Sequence, residues 1–554
     1  MLALLLGLAL VAAACGGDDD DGTEGAGGDP DGEDTSTTEP VDEGEPVPGG
    51  KLVYGLEADT ATPWTPANSV CAISCHMVMR SVYDPLTLYA EGGEVNPNLL
   101  ESFEPNDDFT EWTLTPKSGI TFHDGTPFDA AAVKANLDAH KQSFLTARAL
   151  LNVETVELSA DGSSVVVGMT DPWARFPVFL SGQIGYMASP TWLAAVADGS
   201  AEPTTPVGTG PFVFKSYEAG GSFVATKNAE YWRADEGLPY LDEIEYRVLA
   251  DVQSRKNALL SGEVDIMHTS NGNSITELRD EGSIELTESS AFGETNYVLM
   301  FVDNPDSPIN DVRIRRALAM ALDREVYVDR RDGGVTTMAN GPFSPDQIGH
   351  LEDSGYPEFD PEGAKALVDE YKAEKGVNTV QVSYTTTTDP ENLETGELLK
   401  QFWEQAGLSV ELAQIEQGQF IVTALTGDFE MFGWRNHGGV DPDSQRVWWH
   451  SETADEPPGL ALNFGRIKDD VVDENLDTLR GASDEAEIQA AAEAINERFA
   501  DQVYNLWTSW TVWGIAKDPK VNGLDTFTLP DGSPTIYGNG IGGSHQVAQL
   551  WVEQ

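Results

Sequence analysis

The stretch GITFHDGTPF, Gly119 to Phe128, is where the chain is read most surely. Ile120 and Phe122 alternate with polar neighbours as a half-buried strand does, and they match Trp112 to Leu114 as a paired strand. Asp124-Gly125 is a turn dipeptide, because glycine adopts positive φ without steric cost. Asp129 then stands as an N-cap. Its carboxylate can accept from the free N–H groups of an Ala-rich helix that carries Val133 and Leu137 on one face. The segment predicts strand, turn and capped helix in succession.

Upstream, Lys51 to Gly55 (KLVYG) predicts a strand, followed by a polar loop with Trp64-Thr65-Pro66. Met77 to Tyr83 predicts a helical turn leading into Asp84-Pro85-Leu86. Downstream, residues 156–203 read as strands and loops with a short helix at Trp192 to Val196, and Gly208 to Phe212 (GTGPF) as a turn entering a strand. From about Glu294 strand and helix alternate: strand Asn296 to Phe301, helix Val312 to Tyr327 capped by Asp311, and helix Ala364 to Tyr371 after Asp360-Pro361. Strand Val380 to Tyr384, helix Glu394 to Gln405, and strands Val410 to Leu412 and Phe429 to Gly433 continue the pattern. Helix Glu485 to Phe499 and strand Trp507 to Ile515 close it. Such alternation predicts an α/β sheet with a crevice at the strand ends.

The chain is long enough for two or three lobes, at 554 residues, and its 40% hydrophobic content supports a packed core. Its formal net charge is −61. Thirteen of the acidic residues and no Lys or Arg lie in residues 1–50, which leaves −48 on residues 51–554. Such a surface repels phosphate backbones and anionic headgroups, so nucleic-acid binding is excluded. A salt-rich habitat, where repulsion is screened, and acidity for solubility alone both fit.

Residues Leu2 to Ala14 form an apolar run ending Ala12-Ala13-Ala14-Cys15. It is shorter than the roughly 20 residues a membrane helix needs, and reads as the core of a secretion signal, 1–15. The Cys after small residues resembles the bacterial lipobox, which implies lipidation at Cys15. Ala12 stands where that motif usually has Leu, and no basic residue precedes the run, which implies a start upstream of Met1. Ordinary cleavage with a free Cys15 is the alternative. Residues 16–50 are Gly, Asp, Glu, Thr and Pro with almost nothing apolar, and read as a disordered acidic tether. Cys71 and Cys75 remain, an even number in an oxidising compartment, and read as a disulfide. A metal site with His76 is the weaker alternative, since the spacing is not a zinc pattern.

The GITFHDGTPF stretch with Ala132-Val133 resembles the signature of extracellular solute-binding protein family 5, the oligopeptide-, dipeptide- and nickel-binding receptors of ABC importers. Tyr83 to Leu86, Gly208 to Phe212, Arg313 to Asp323 (RIRRALAMALD), Phe359 to Lys365, and Gly433-Trp434 with Asp441-Pro442-Asp443 follow in the family's order. The match spans nearly all of residues 51–520. It implies the two-lobed periplasmic-binding-protein fold, type II and cluster C-like, with an extra inserted domain. Lobe one would be 51–84, 205–290 and 508–554, the inserted domain 85–204, and lobe two 291–507.

The resemblance implies a monomer that encloses a peptide or similar small solute between its lobes. It would dock on an ABC permease served by its own ATPase, and would meet the membrane only through the lipid anchor, on the outer face of the cell. It implies no cofactor, no metal and no enzymatic activity. In peptide-binding relatives an Asp three residues after the Gly-Trp grips the ligand amine. Here that position is His437, and Arg435 beside it suits an anion better than an amine. Trp434, Arg435, Asn436, His437, Asp441, Trp64, Tyr297 and Trp448 are the expected ligand contacts. A non-peptide, anionic solute or a sensor role on the same fold is the runner-up. His123-Asp124 reads as a turn rather than a catalytic pair. The chain has no Gly-x-Ser-x-Gly, His-Glu-x-x-His or Walker motif, and an acidic-pair glycosidase stays a remote alternative.

Overall fold

The computed structural model describes residues 44–60, 64–290, 294–436, 439–455, 459–535 and 542–553. The chain divides into Met1–Gly44 and Glu45–Gln554, and the second unit carries the fold below. Cys15, the apolar run, the tether through residue 43 and His437 lie outside the described residues.

Strand β1 (Lys51–Leu56) opens a seven-stranded sheet. The chain then leaves it and builds a four-stranded antiparallel sheet from β2 (Leu100–Pro105), β3 (Glu111–Pro116), β4 (Val153–Leu158) and β5 (Val165–Met169), in the order β2-β3-β5-β4. Helix Ala130–Gln142 covers that sheet. The Asp129 side chain accepts from Ala132 N at 3.0 Å, and Val133 and Leu137 share a core with Trp112, Leu114 and Val165.

The chain returns to the first sheet with β6 (Phe212–Glu218), β7 (Ser222–Lys227), β8 (Glu243–Val248), β9 (Ile266–Thr269) and β10 (Glu285–Ser289). A six-stranded sheet follows: β11 (Thr295–Met300), β12 (Thr337–Met338), β13 (Gln381–Thr387), β14 (Ser409–Ile415), β15 (Met431–Asn436) and β16 (Asn505–Trp510). Strand β17 (Trp513–Lys517) goes back into the first sheet. The orders are β10-β17-β9-β1-β8-β7-β6 and β12-β16-β11-β15-β13-β14. Strand β1 is parallel to both its neighbours, β8 and β9, and β13 to both of its own, β14 and β15. Open α/β sheets bind ligands at the carboxyl ends of such strands. Each sheet lies against its own apolar core, that of the second lobe built around Leu318, Trp403 and Phe432.

Two stretches carry the chain between the sheets, one from Ser289 to Thr295 and the other from Trp510 to Trp513. Thr511 N donates to Glu294 O at 2.8 Å and ties the two crossings together.

Three local expectations are corrected. Trp507 to Ile515 is two strands, because the chain changes sheet at Thr511-Val512; that change comes after the lobe border expected at 508. Val312 to Tyr327 is not one helix. Leu322 is extended (φ −83°, ψ 109°), and Asp323 caps a new helix, Arg324–Asp332, by accepting from Val326 N at 3.1 Å. Ile120 to Phe122 does not pair with β3, whose partners are β2 and β5. Its backbone closes on itself instead, Phe122 N donating to Thr126 O at 2.8 Å and Gly125 N to Phe122 O at 2.8 Å.

The separated sequence stations meet where the four-stranded domain joins the first lobe. Gly210 N donates to Val82 O at 2.8 Å, an approach so close that a Cβ on Gly210 would come within 2.6 Å of that oxygen. Asp84 accepts from Trp232 Nε1 (3.0 Å), Tyr231 Oη (3.1 Å) and Thr209 Oγ1 (3.2 Å). His123 bonds through Nε2 to Gly210 O at 2.9 Å, and burial lowers its imidazole to about 4. His123 thus clamps the Gly208–Gly210 turn between domains, while Asp124 accepts from Thr126 N within its own turn.

Candidate functional site

A cavity of about 350 Å³ opens where the second lobe faces the first, within the about 300–1,000 Å³ range of small-molecule sites. Its floor is the end of the six-stranded sheet where the parallel strands β13 and β15 finish and the antiparallel β11 begins. Asn296, Tyr297 and Val298 come from β11, Thr386 and Thr387 from the end of β13, and Gly433, Trp434 and Arg435 from β15. Tyr327 and Arg331 reach it from helix Arg324–Asp332, and Asn392, Thr395 and Leu399 from helix Pro390–Gln405. Phe420, Ile421 and Tyr384 complete the apolar side, Thr508 adds a hydroxyl, and Ala72 supplies the first lobe's contribution.

Local sequence explains how these groups can stand together. Tyr384 lies across β15 because residue 433 is glycine; a Cβ there would collide with the Tyr384 hydroxyl. Trp434 stacks on Phe420 with ring centroids 5.4 Å apart at 16°, and meets Phe464 at 5.0 Å. These contacts hold the indole rigid, as a recognition surface requires.

The wall is rich in neutral hydrogen-bonding groups. Burial raises the hydroxyls of Tyr297 and Tyr384, and pushes Tyr327 up to about 12, so all three stay protonated. Among the described residues the lining holds two arginines and no carboxylate, although the whole chain has 93 acidic residues against 32 basic. Arg331 pairs with Glu391, which also accepts from Asn271 Nδ2 of the first lobe at 2.8 Å. Burial works against the Arg331 charge, and the carboxylates of Glu391 and Asp332 help to outweigh it, so its affinity for the proton rises. Arg435 crosses to the first lobe, donating to Ser270 Oγ at 2.6 Å.

Of the contacts expected from sequence, Tyr297, Trp434 and Arg435 stand in this wall. Asn436 ends β15 beside them, and His437 lies outside the described residues. Trp64 does not reach the cavity. It is 2% exposed in the first lobe's core, edge-on to Tyr217 and Phe223 at 5.3 and 5.2 Å. Trp448 stands behind Phe464 at 5.5 Å. Asp441 faces away. It pairs with Arg175 of the four-stranded domain at 2.6 Å and borders a separate groove of about 900 Å³ between that domain and the second lobe.

Arg331, Tyr327, Tyr384, Thr386 and Thr387 also line the cavity and are not among the contacts expected from the sequence. The run Thr385 to Thr388 at the end of a predicted strand was the available signal, since that is where open sheets bind ligands. Cys71 and Cys75 are joined as a disulfide beside Ala72. Among the described residues no group of three or more His, Cys, Asp or Glu is placed to hold a metal, and no helix is long and apolar enough to cross a membrane.

Comparison with known proteins gives one family and one fold. The model for bacterial extracellular solute-binding proteins, family 5 Middle, matches residues 94–457. Glutathione-binding proteins of Shigella flexneri and of Escherichia coli K12 are each 28% identical over 352 residues, which covers 62% of this chain and 65% of theirs. The match thus spans just under two thirds of those curated relatives. The periplasmic binding protein DppA from Helicobacter pylori, solved with the peptide STSA, superposes with a TM-score of 0.80 at 20% identity over 92% of this chain and 99% of its own. AgaA from A. tumefacien R10, solved with agropinic acid, does so at 0.78 and 22%, over 91% and 99%. These neighbours share the two-lobed fold.

Proposed function

The chain belongs to the bacterial extracellular solute-binding proteins of family 5, and on that premise we propose that it is the substrate-binding protein of an ABC importer, one that takes a small, peptide-like solute of neutral or acidic character. The observation that carries the reading is the composition of the cavity at the lobe junction. Hydroxyls and carboxamides from Asn296, Thr386, Thr387, Asn392 and Thr508 match amide groups, Trp434 and Phe420 offer flat apolar faces, and among the described residues no lining carboxylate is left to receive a free amine, the nearby Glu391, Glu57 and Glu294 being paired with Arg331 and Arg435. Relatives named for glutathione and a neighbour bound to agropinic acid support the same solute class.

The mechanism is closure of two lobes on the solute. Open and closed forms interconvert, and contacts made by both lobes favour the closed one. The closed form is handed to a membrane permease whose separate ATPase supplies the energy, and no covalent step is needed. The receptor works as a monomer on the outer face of the membrane, held by lipid on Cys15 through the acidic tether. The apolar run before Cys15 and the tether's composition support that anchor.

Native mass spectrometry of the protein purified gently from its host tests the solute class. The expected result is a mass increment of a small neutral or acidic peptide-like compound. Retention of free-amine cationic peptides alone would refute it. Small-angle scattering tests closure, with a smaller radius of gyration expected at saturation.

A further inference from the structure

Arg435 is held as a bound cation is held. It stands next to last in a strand of the second lobe, yet Ser270, Glu57, Glu294 and Trp513, which meet its guanidinium, belong to the first lobe or to the crossings. Nη1 donates to Ser270 Oγ at 2.6 Å, just past β9, and Nη2 lies 3.5 Å from Glu57 Oε1, just past β1. Nε lies 3.1 Å from Glu294 Oε1 on the first crossing. The guanidinium carbon stands 4.9 Å from the centre of the Trp513 ring on the second. Trp513 Nε1 in turn donates to the other oxygen of Glu294, which fixes the carboxylate and the ring against each other. Glu294 is 3% exposed.

Two carboxylates, a hydroxyl and an aromatic face around one cation are what an ammonium or guanidinium ligand would be offered. The cage sits at the carboxyl ends of β1 and β9, where an open sheet binds ligands, and Arg435 also lines the cavity. We propose that Glu57, Glu294, Ser270 and Trp513 form a cation cage at the lobe junction that Arg435 fills as an intramolecular ligand, so that a solute entering the cavity cannot use the cage for a free amine. This deepens the receptor reading and rests on it for the solute class alone. The cage also gives closure a contact that does not depend on solute, because one side chain of the second lobe bonds to both β-strand ends of the first.

The cage can be tested without knowing the solute. In the full chain, Arg435→Ala leaves Glu57 and Glu294 facing the cavity. Ethylguanidinium is then expected to raise the Tm of the variant saturably while leaving that of the wild type unchanged. Alanyl-alanine is expected to bind the variant about tenfold more tightly than its N-acetylated form, a preference absent from the wild type. If Arg435→Ala is too unstable to purify, Arg435→Lys serves. Its ammonium cannot reach Ser270, Glu57 and Glu294 together, and a smaller shift, still absent from the wild type, is expected. No ethylguanidinium shift in either variant, or an equal shift in the wild type, overturns the cage. The receptor reading would survive that result, since it is decided by the retained solute.

Discussion

Deleting one half of the Arg175–Asp441 pair is expected to hurt and deleting the other is not. Asp441 is 5% exposed and Arg175 is partly exposed, with Nε and Oδ2 2.6 Å apart. Burial pushes the Asp441 carboxyl up from 3.8 to about 6; Arg175 opposes the shift and Asp443 adds to it. A shift of roughly two units means that ionised Asp441 costs the native state about 3 kcal/mol at neutral pH. The folded value lies above the unfolded one. The contribution of Asp441 is therefore greatest below the unfolded value, declines as pH rises towards about 6, and is flat above that.

Arg175→Ala strips the opposing cation from a buried carboxylate, a change worth about 3–5 kcal/mol at pH 7.5. Asp441→Asn keeps the shape and the bond from Asp443 N (3.0 Å) while removing the buried charge. It is expected to match wild type within about 1 kcal/mol below the unfolded value, to exceed it by up to about 3 kcal/mol at pH 7.5, and to abolish the decline between the two values. Calorimetric Tm at pH 5 and 7.5 reads both. At about 2.1 cal/mol/K per residue, cooperative unfolding of Glu45–Gln554 moves Tm by about 1 °C per kcal/mol, so Arg175→Ala should lose about 3–5 °C at pH 7.5 and clearly less at pH 5. Equal losses for the two variants, or a pH-independent loss for Arg175→Ala, would refute the reasoning.

Gly433→Ala should lower solute affinity and cost about 1–3 kcal/mol by driving Tyr384 from its place; Tyr384→Phe in the same chain should restore much of it, read by titration calorimetry and melting. Asp84→Asn should cost about 1–3 kcal/mol in urea unfolding, the opposite of Asp441→Asn. Thr209, Tyr231 and Trp232 all donate to the Asp84 carboxylate, and an amide NH2 would face at least one of them. Cys71→Ser with Cys75→Ser should lower Tm by the equivalent of about 2 kcal/mol, and reducing agent should do the same to the wild type and nothing to the variant.

Much of the architecture is legible along the chain because it is written in short-range terms. Asp129, Asp311 and Asp360 cap helices where their positions ahead of apolar faces predict it, and glycines such as Gly376 and Gly407 take positive φ just past helix ends. The order of the stations from Tyr83 to Asp443 identifies the family and with it the two-lobed fold. Two places are decided by local contests. Asp323 wins as a cap over continuation of the helix, and Thr511-Val512 carries the chain out of one sheet into another, which no strand pattern marks.

The site is less legible. Trp64 and Trp434 look alike in sequence, each beside short polar stretches, yet one is core and the other wall. Arg331 and Thr387 are 56 residues apart and meet only because helix Arg324–Asp332 packs near the end of β13. Arg435 reads as a free anion contact until Glu57, Glu294, Ser270 and Trp513, drawn from four separate segments, are found around it. By itself the sequence determined the element pattern, the α/β class, the family and the acidity of the body, because caps, periodicity and charge are properties of neighbours along the chain. Only the tertiary structure decided which side chains share a cavity and which charges are already spent, because burial and Coulomb energy depend on distances between residues far apart in sequence.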